Sequence, residues 1–353
     1  MCIVTESARR DRYTRWRGTA FQPYRGVVNA WYPRDWGQTN AEELAKFLAE
    51  LPPDTTGIRF RGNVEIADGL IDALGPVLPR LRDLGLVGVP IGESGMRALA
   101  NDSRANALEV LLLGGVMATE IQGPRPIPDD KLDPKWCALA TCRLTDDGLL
   151  ALGHATQLPS LRKLDLSNVV ASSQAWHAFA ASPLVRRLEC LVLGMIDIEP
   201  ATMEVLCEHA GALRSLAIET SHANEDARIL ASSRLAPQLE RLCLRWVSND
   251  TVHLVLDGEW PRLHTLELVP ALDARTVEII ANRRGARCLR TLYLNYTSQI
   301  ATGEPEIWTD WTGADIGSSP AYLRIADLVK THLPNETIAI QSSPQWPGPW
   351  LET

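Results

Sequence analysis

No run of about 18 consecutive apolar residues occurs in the chain, so no segment has the length a transmembrane helix needs. A secretory leader pattern is missing as well: Met1-Cys2-Ile3-Val4 is followed almost at once by charge, and Arg9-Arg10 has no apolar segment behind it. Cys-x-x-Cys is absent, and the seven cysteines, at 2, 137, 142, 190, 207, 243 and 288, are odd in number and scattered. These absences lead us to expect reduced thiols in a cytoplasmic protein, with Cys190, Cys207 and Cys243 as small core or strand residues. His-Glu-x-x-His, Gly-x-Ser-x-Gly, the P-loop and Gly-x-Gly-x-x-Gly are also absent, which removes the commonest signatures of zinc hydrolysis, serine esterases, phosphate cradles and dinucleotide sites. Lysine is scarce, 5 residues against 30 arginines, which we read as the mark of a GC-rich, bacterial genome with no functional content. The net charge of −8 disfavours general nucleic-acid binding. At 45% hydrophobic and 22% charged, the composition supports a long core and gives no sign of bulk disorder.

What is present is a ladder. The pattern Leu-x-x-Leu-x-Leu begins at Leu81, Leu108, Leu161, Leu188, Leu213, Leu239, Leu263 and Leu289, in steps of 24 to 27 residues with one step of 53, counted as two. A degenerate copy, Thr55, Ile58 and Phe60, precedes it. Leucines two apart point to the same side of a strand. After each strand comes a helix-like stripe, as in Ile91-Gly-Glu-Ser-Gly-Met-Arg-Ala-Leu-Ala. Helices are expected over 144–153, 172–181, 200–210, 223–232, 249–256 and 274–284, with strands centred on Leu164/Leu166, Leu191/Leu193, Leu216/Ile218, Leu242/Leu244, Leu266/Leu268 and Leu292/Leu294. Pro124, Pro126, Pro128 and Pro134 forbid a helix after Leu113. Pro134 lies 26 residues after Leu108, so Cys137 and Leu139 are expected to supply the strand of the next unit.

Over residues 55–300 this order of strand, turn and helix resembles the leucine-rich repeats, ribonuclease-inhibitor-like subclass. The resemblance implies an α/β solenoid, a horseshoe with a parallel concave sheet and convex helices, in about ten units. Residues 1–54 would cap its N-terminal end, with Val27-Val28-Asn29-Ala30-Trp31 as a capping strand and Asn40 opening a helix. Residues 301–353 would form a C-terminal cap and Trp/Pro tail, the whole being one structural domain. Val89, Val116, Val169, Ile196 and Val247 stand where the family often has a turn asparagine.

In such a horseshoe the residues between the ladder leucines face outward on the concave sheet. The C-terminal half of that face reads Glu219, Arg241, Arg245, Trp246, Glu267, Tyr293, Asn295 and Tyr296, rich in the Trp, Tyr and Arg that dominate binding hot spots. We expect a protein- or peptide-binding face there. The competing reading pairs Arg245 with Glu219 or Glu267 across strands, the aromatics merely stacking. Further toward the N-terminus the face is small and apolar around Val87, Val110, Leu112 and Trp136. Either a partner meets it, or the chain covers itself with the proline-rich loop 119–134 or the tail bearing Trp346 and Trp350.

Catalytic and metal readings are weaker. The seven histidines fall mostly on repeat helices. Cys137 and Cys142 with His154 lack a fourth zinc ligand, Asp129, Asp130 and Asp133 lack EF-hand spacing, and Cys2 has no assigned base. We therefore expect no catalytic residue, metal or cofactor, and a non-enzymatic scaffold. The alternative is an enzyme or enzyme subunit whose site is built from Cys2, the arginine-rich arm and the Trp-rich tail. Nothing in the sequence sets an oligomeric state. Charge is uneven, however. Residues 1–34 carry seven arginines against Glu6 and Asp11, and residues 301–353 carry seven acids against Arg324 and Lys330. Two solvated caps explain this; so does a basic arm for an acidic partner, anionic lipid or nucleic acid.

Overall fold

The computed structural model describes residues 27–29, 41–61, 69–87, 89, 91–114, 144–194, 196, 198–219, 222–256, 258–270, 291–295 and 337–341. These contain eleven strands in one sheet: β1 (Val27–Asn29), β2 (Gly57–Arg61), β3 (Asp83–Val87), β4 (Val110–Leu112), β5 (Lys163–Asp165), β6 (Cys190–Leu193), β7 (Ser215–Glu219), β8 (Arg241–Val247), β9 (Thr265–Pro270), β10 (Thr291–Asn295) and β11 (Thr337–Gln341). Their spatial order is their chain order, and every neighbouring pair is parallel. A strictly sequential parallel sheet requires the chain to return on one side after each strand, which makes a solenoid. The return legs are α1 (Ala41–Ala49), α2 (Leu70–Leu74), α3 (Glu93–Asn101), α4 (Asp146–Gly153), α5 (Ser173–Ala180), α6 (Pro200–His209), α7 (Ala223–Ser232) and α8 (Asn249–Leu256), each of α2 to α8 packed against the one before it.

The ladder leucines stand in one row. Ile58, Leu84, Leu111, Leu164, Leu191, Leu216, Leu242 and Leu266 are successive register partners and all are wholly buried, joined in one core with the helix stripes. The expected α/β leucine-rich-repeat solenoid is what the described residues form. Its outermost strands are β1, within the segment expected as a capping strand, and β11.

The 53-residue step is not two units. β4 pairs directly with β5, Leu111 against Leu164, and α3 packs on α4. Adjacent strands lie about 4.8 Å apart, so no strand from Cys137 and Leu139 stands between them. The step is a single repeat, β4 then α4, with residues 115–143 inserted between its strand and its helix. The expected strand and loop 119–134 lie outside the described residues, as do Asn40 and the helix expected over 274–284.

Between repeats the polar contacts recur in register. Thr145 and Ser172 cap α4 and α5, each hydroxyl accepting from the backbone N–H three residues on. Ser172 also donates its own N–H and hydroxyl to Asp146 of the preceding repeat, at 2.7 and 2.6 Å, and these bonds hold the Asp146 carboxyl below its usual range. Arg187 donates to the Ala155 and Leu158 carbonyls, and Gln238 to that of Ala210, from equivalent places just before a ladder leucine. Val89, Val169 and Ile196 are buried in the turn. They fill with hydrocarbon the slot that an asparagine would fill with hydrogen bonds.

Candidate binding face

Residues alternate across a strand, so the register fixes a row between the ladder positions: Arg59, Gly85, Leu112, Asp165, Val192, Ala217, Cys243, Glu267 and Tyr293. This row lies on the face opposite the helices, and its character changes along the solenoid.

At the N-terminal end it is ionic. Arg59 reaches Asp83 through two bonds, Nε to Oδ1 at 3.1 Å and Nη2 to Oδ2 at 2.7 Å, with both side chains largely buried. Gly85 makes room for this pair, since a Cβ there would stand 2.8 Å from the Arg59 side chain. In the middle the row is apolar and buried. Val110, Leu112, Cys190, Val192, Ala217 and Cys243 form a hydrophobic cluster separate from the ladder core, and Val192 and Cys243 are 0% exposed. Burial pushes the Cys190 thiol up to about 11. Asp165 lies within this stretch, 1% exposed, accepting from the Ser167 N–H at 2.8 Å and the Ser167 hydroxyl at 2.6 Å. Gly114 packs closely beside it: a Cβ there would come within 3.1 Å of the Asp165 carboxylate.

For Val110 and Leu112 the sequence left two covers open, a partner or the chain itself. Both are buried within the single chain, which therefore closes this part of the face itself. Val87 stands in β3 with its backbone paired to Arg61, and Trp136 lies outside the described residues.

Strand register gives the backbone positions of the described C-terminal residues. Glu219 stands directly opposite Arg245, Arg245 opposite Val269, and Glu267 between Cys243 and Tyr293. Glu219 is thus the carboxylate in line with Arg245, while Glu267 is one row away. Glu219 is buried, and Arg241 and Glu267 are half-buried. Asn295 closes β10 opposite Gln341 of β11; Tyr296 lies outside the described residues. One feature here had no sequence signal. The pairing of β8 with β9 shifts between Arg245 and Val247, leaving Trp246 as the extra residue of a bulge. One class of bulge is marked by glycine, and none stands here.

A second unforeseen feature lies at the strand entrances. From Leu81 to Leu263 the residue after each first ladder leucine reads Arg82, Glu109, Arg162, Glu189, Arg214, Glu240 and His264, alternating in sign, and the alternation ends at Arg290 after Leu289. From Glu109 to His264 each backbone N–H donates to the carbonyl of the one before, and Arg82–Glu109, Arg162–Glu189 and His264–Glu240 lie 3.6 to 3.8 Å apart. The pattern was legible in the sequence once the repeats were aligned. Exposed pairs of this kind contribute little energy each, but alternation makes every one-unit slip bring like charges together.

Among the described residues no group of three or more His, Cys, Asp or Glu side chains is placed to hold a metal ion, and no helix is long and apolar enough to cross a membrane. No family model and no curated protein matches the sequence. Among solved structures the chain is similar to one in the crystal structure of the Rad7 and Elc1 complex in yeast, at 14% identity and a TM-score of 0.40, over 77% of this chain and 70% of that one.

Proposed function

We propose that the protein is a non-enzymatic scaffold that binds a protein or peptide on the C-terminal half of the helix-free face, over β7 to β10. The observation that supports this most directly is the bulge at Trp246, next to the aligned pair Glu219 and Arg245. A bulge changes where a side chain is aimed and commonly sits beside a functional site. It falls where Glu219, Arg245, Glu267 and Tyr293 follow the buried apolar stretch of Val192, Ala217 and Cys243. In this reading buried Glu219 positions the Arg245 guanidinium, and Arg241, Trp246, Glu267 and Tyr293 meet the partner. The face suits a macromolecule more than a small molecule, because its candidate residues are spread over four strands, roughly 15 Å of sheet. The repeats are of the ribonuclease-inhibitor-like kind, with a helix of eight to ten residues following most strands from α3 to α8.

The test is affinity capture from the native host with three baits: wild type, the double variant Arg245→Glu with Trp246→Ala, and a chain lacking residues 1–26. Partners specific to this face are lost by at least tenfold with the double variant and retained with the shortened chain. Capture that survives the double variant and disappears with the arm overturns the assignment.

A further inference from the structure

The charges at the strand entrances form a row with a symmetry of its own. Arg82, Glu109, Arg162, Glu189, Arg214 and Glu240 each stand one residue before a strand, β3 to β8 in turn, and the row continues to Thr56 before β2 and His264 before β9. Along it each backbone N–H donates to the preceding member's carbonyl, so the row keeps the spacing of the sheet. The side chains of Arg82, Glu109, Arg162, Glu189 and Glu240 are between 39 and 66% exposed. Pairing within the molecule is loose. Arg82–Glu109 and Arg162–Glu189 are 3.6 and 3.8 Å apart, longer than a hydrogen bond, and among the described residues Arg214 makes no ion pair. The Arg162 Nη1 donates to the Pro159 and Leu161 carbonyls, and the Arg214 Nη1 to that of Leu213, which holds both guanidinium groups at the entrance edge.

From Arg82 to Glu240 the six signs alternate, beginning with plus and ending with minus. An even, alternating row is its own complement when reversed. Consider a two-fold axis along the sheet normal, placed at this edge midway between Arg162 and Glu189. It sets the row of one copy against the reversed row of another. Arg82 then meets Glu240, Glu109 meets Arg214 and Arg162 meets Glu189, each contact occurring twice, with Thr56 meeting His264 at the ends. The same axis carries any bend of the row toward or away from the helices onto itself, so all the contacts stay in line. The other two-fold arrangement, with its axis along the row, sets every charge against its own like. Sliding the reversed rows by one repeat also brings like charges together. Complementarity of this kind fixes orientation and register more than affinity.

We propose that the strand-entrance edge is a homodimer interface, its occupant a second copy of this chain in the reversed orientation. The contact is isologous, so it closes at two copies. It lies at the edge of the sheet and not on the helix-free face, and does not rest on the function proposed for that face.

Sedimentation equilibrium of the full chain tests this. At about 0.05 M salt the average mass of wild type rises with protein concentration to that of a dimer and no further, and at about 0.5 M it returns to monomer. Arg162→Glu and Glu189→Arg each place like charges at both central contacts, and each variant alone stays monomeric at low salt. Mixed in equal amounts, the two variants have opposite charges at every contact and recover the wild-type concentration dependence, which also shows that both are folded. The proposal is overturned if wild type is monomeric at low salt throughout, if its mass grows beyond a dimer, if either variant alone dimerises as wild type does, or if the mixture stays monomeric.

Discussion

The middle and the C-terminal part of the helix-free face are built on the same leucine row, yet they have opposite characters. Over β4 to β8 the residues between the ladder leucines are Leu112, Asp165, Val192, Ala217 and Cys243, and every one is buried. In β9 the equivalent residue is Glu267, half-buried and charged. A repeat array specifies only what points inward; what it holds outward is free to vary from unit to unit. This chain has used that freedom to make a second small core in one place and a charged, aromatic surface in another. Loss of a residue from the first region is a matter of stability. Loss from the second is a matter of recognition.

The largest effect that distinguishes the two follows from placing a charge in each. Val192→Asp puts a carboxylate at a position with no exposure, in a cluster of hydrocarbon and thiol groups. Burying an uncompensated charge lowers stability by at least about 3 kcal/mol. Glu267→Gln, three positions further along the row in β9, changes stability by less than about 0.5 kcal/mol. Urea denaturation of the two variants beside wild type makes the comparison. Equal stability of the two would mean that the middle of the face is open to water, and the distinction would fail.

How much of this was legible before the structure depends on which side of the strand is considered. The inward side was legible almost completely, because burial imposes the same residue type at the same spacing: the helices at Ser173–Ala180, Pro200–His209, Ala223–Ser232 and Asn249–Leu256 fall where the stripe places them. The step from Leu108 to Leu161 misled because the insertion nearly equals one repeat in length. Spacing alone cannot separate an extra unit from a long loop, although Pro134 at a ladder position was a physical warning: the ladder needs an apolar side chain there, and proline supplies no strand donor. The outward side was legible only as a list of residues. For Val110 and Leu112 the choice between a partner and the chain itself as cover stayed open, because composition does not say which surface the same chain closes. The bulge at Trp246 was invisible for a different reason: it is a property of how β8 meets β9, not of either strand.

A smaller effect sharpens the packed character of the middle region. Gly114 lies beside Asp165, and a methyl group added there stands 3.1 to 3.3 Å from the carboxylate atoms. Asp165 cannot easily withdraw, since its Oδ1 already accepts two bonds from Ser167. Gly114→Ala therefore destabilises by about 1–2 kcal/mol in the same urea experiment, the cost typical of overpacking. An unchanged midpoint would show that the carboxylate has room to move, and that this stretch is less closely fitted than its burial implies.

The smallest perturbation needs no mutation. Cys190 and Cys243 belong to the cluster on the helix-free face, whereas Cys207 joins the ladder core from α6, and all three are buried thiols. Burial raises Cys190 to about 11 and Cys207 to about 12, so near pH 8 neither presents appreciable thiolate, the species that reacts. The sign for stability follows. The unfolded thiols ionise first as pH rises past their ordinary value, so the native state loses stability through the interval up to the folded values and is unaffected below it. At pH 8 a thiol reagent with mass-spectrometric readout should then label Cys190, Cys243 and Cys207 at one common slow rate set by global unfolding, accelerating together in urea. If the two cluster cysteines react well ahead of Cys207 without denaturant, the second core opens locally while the first stays closed. In that case the cover over the middle of the face is a movable part and not an extension of the interior.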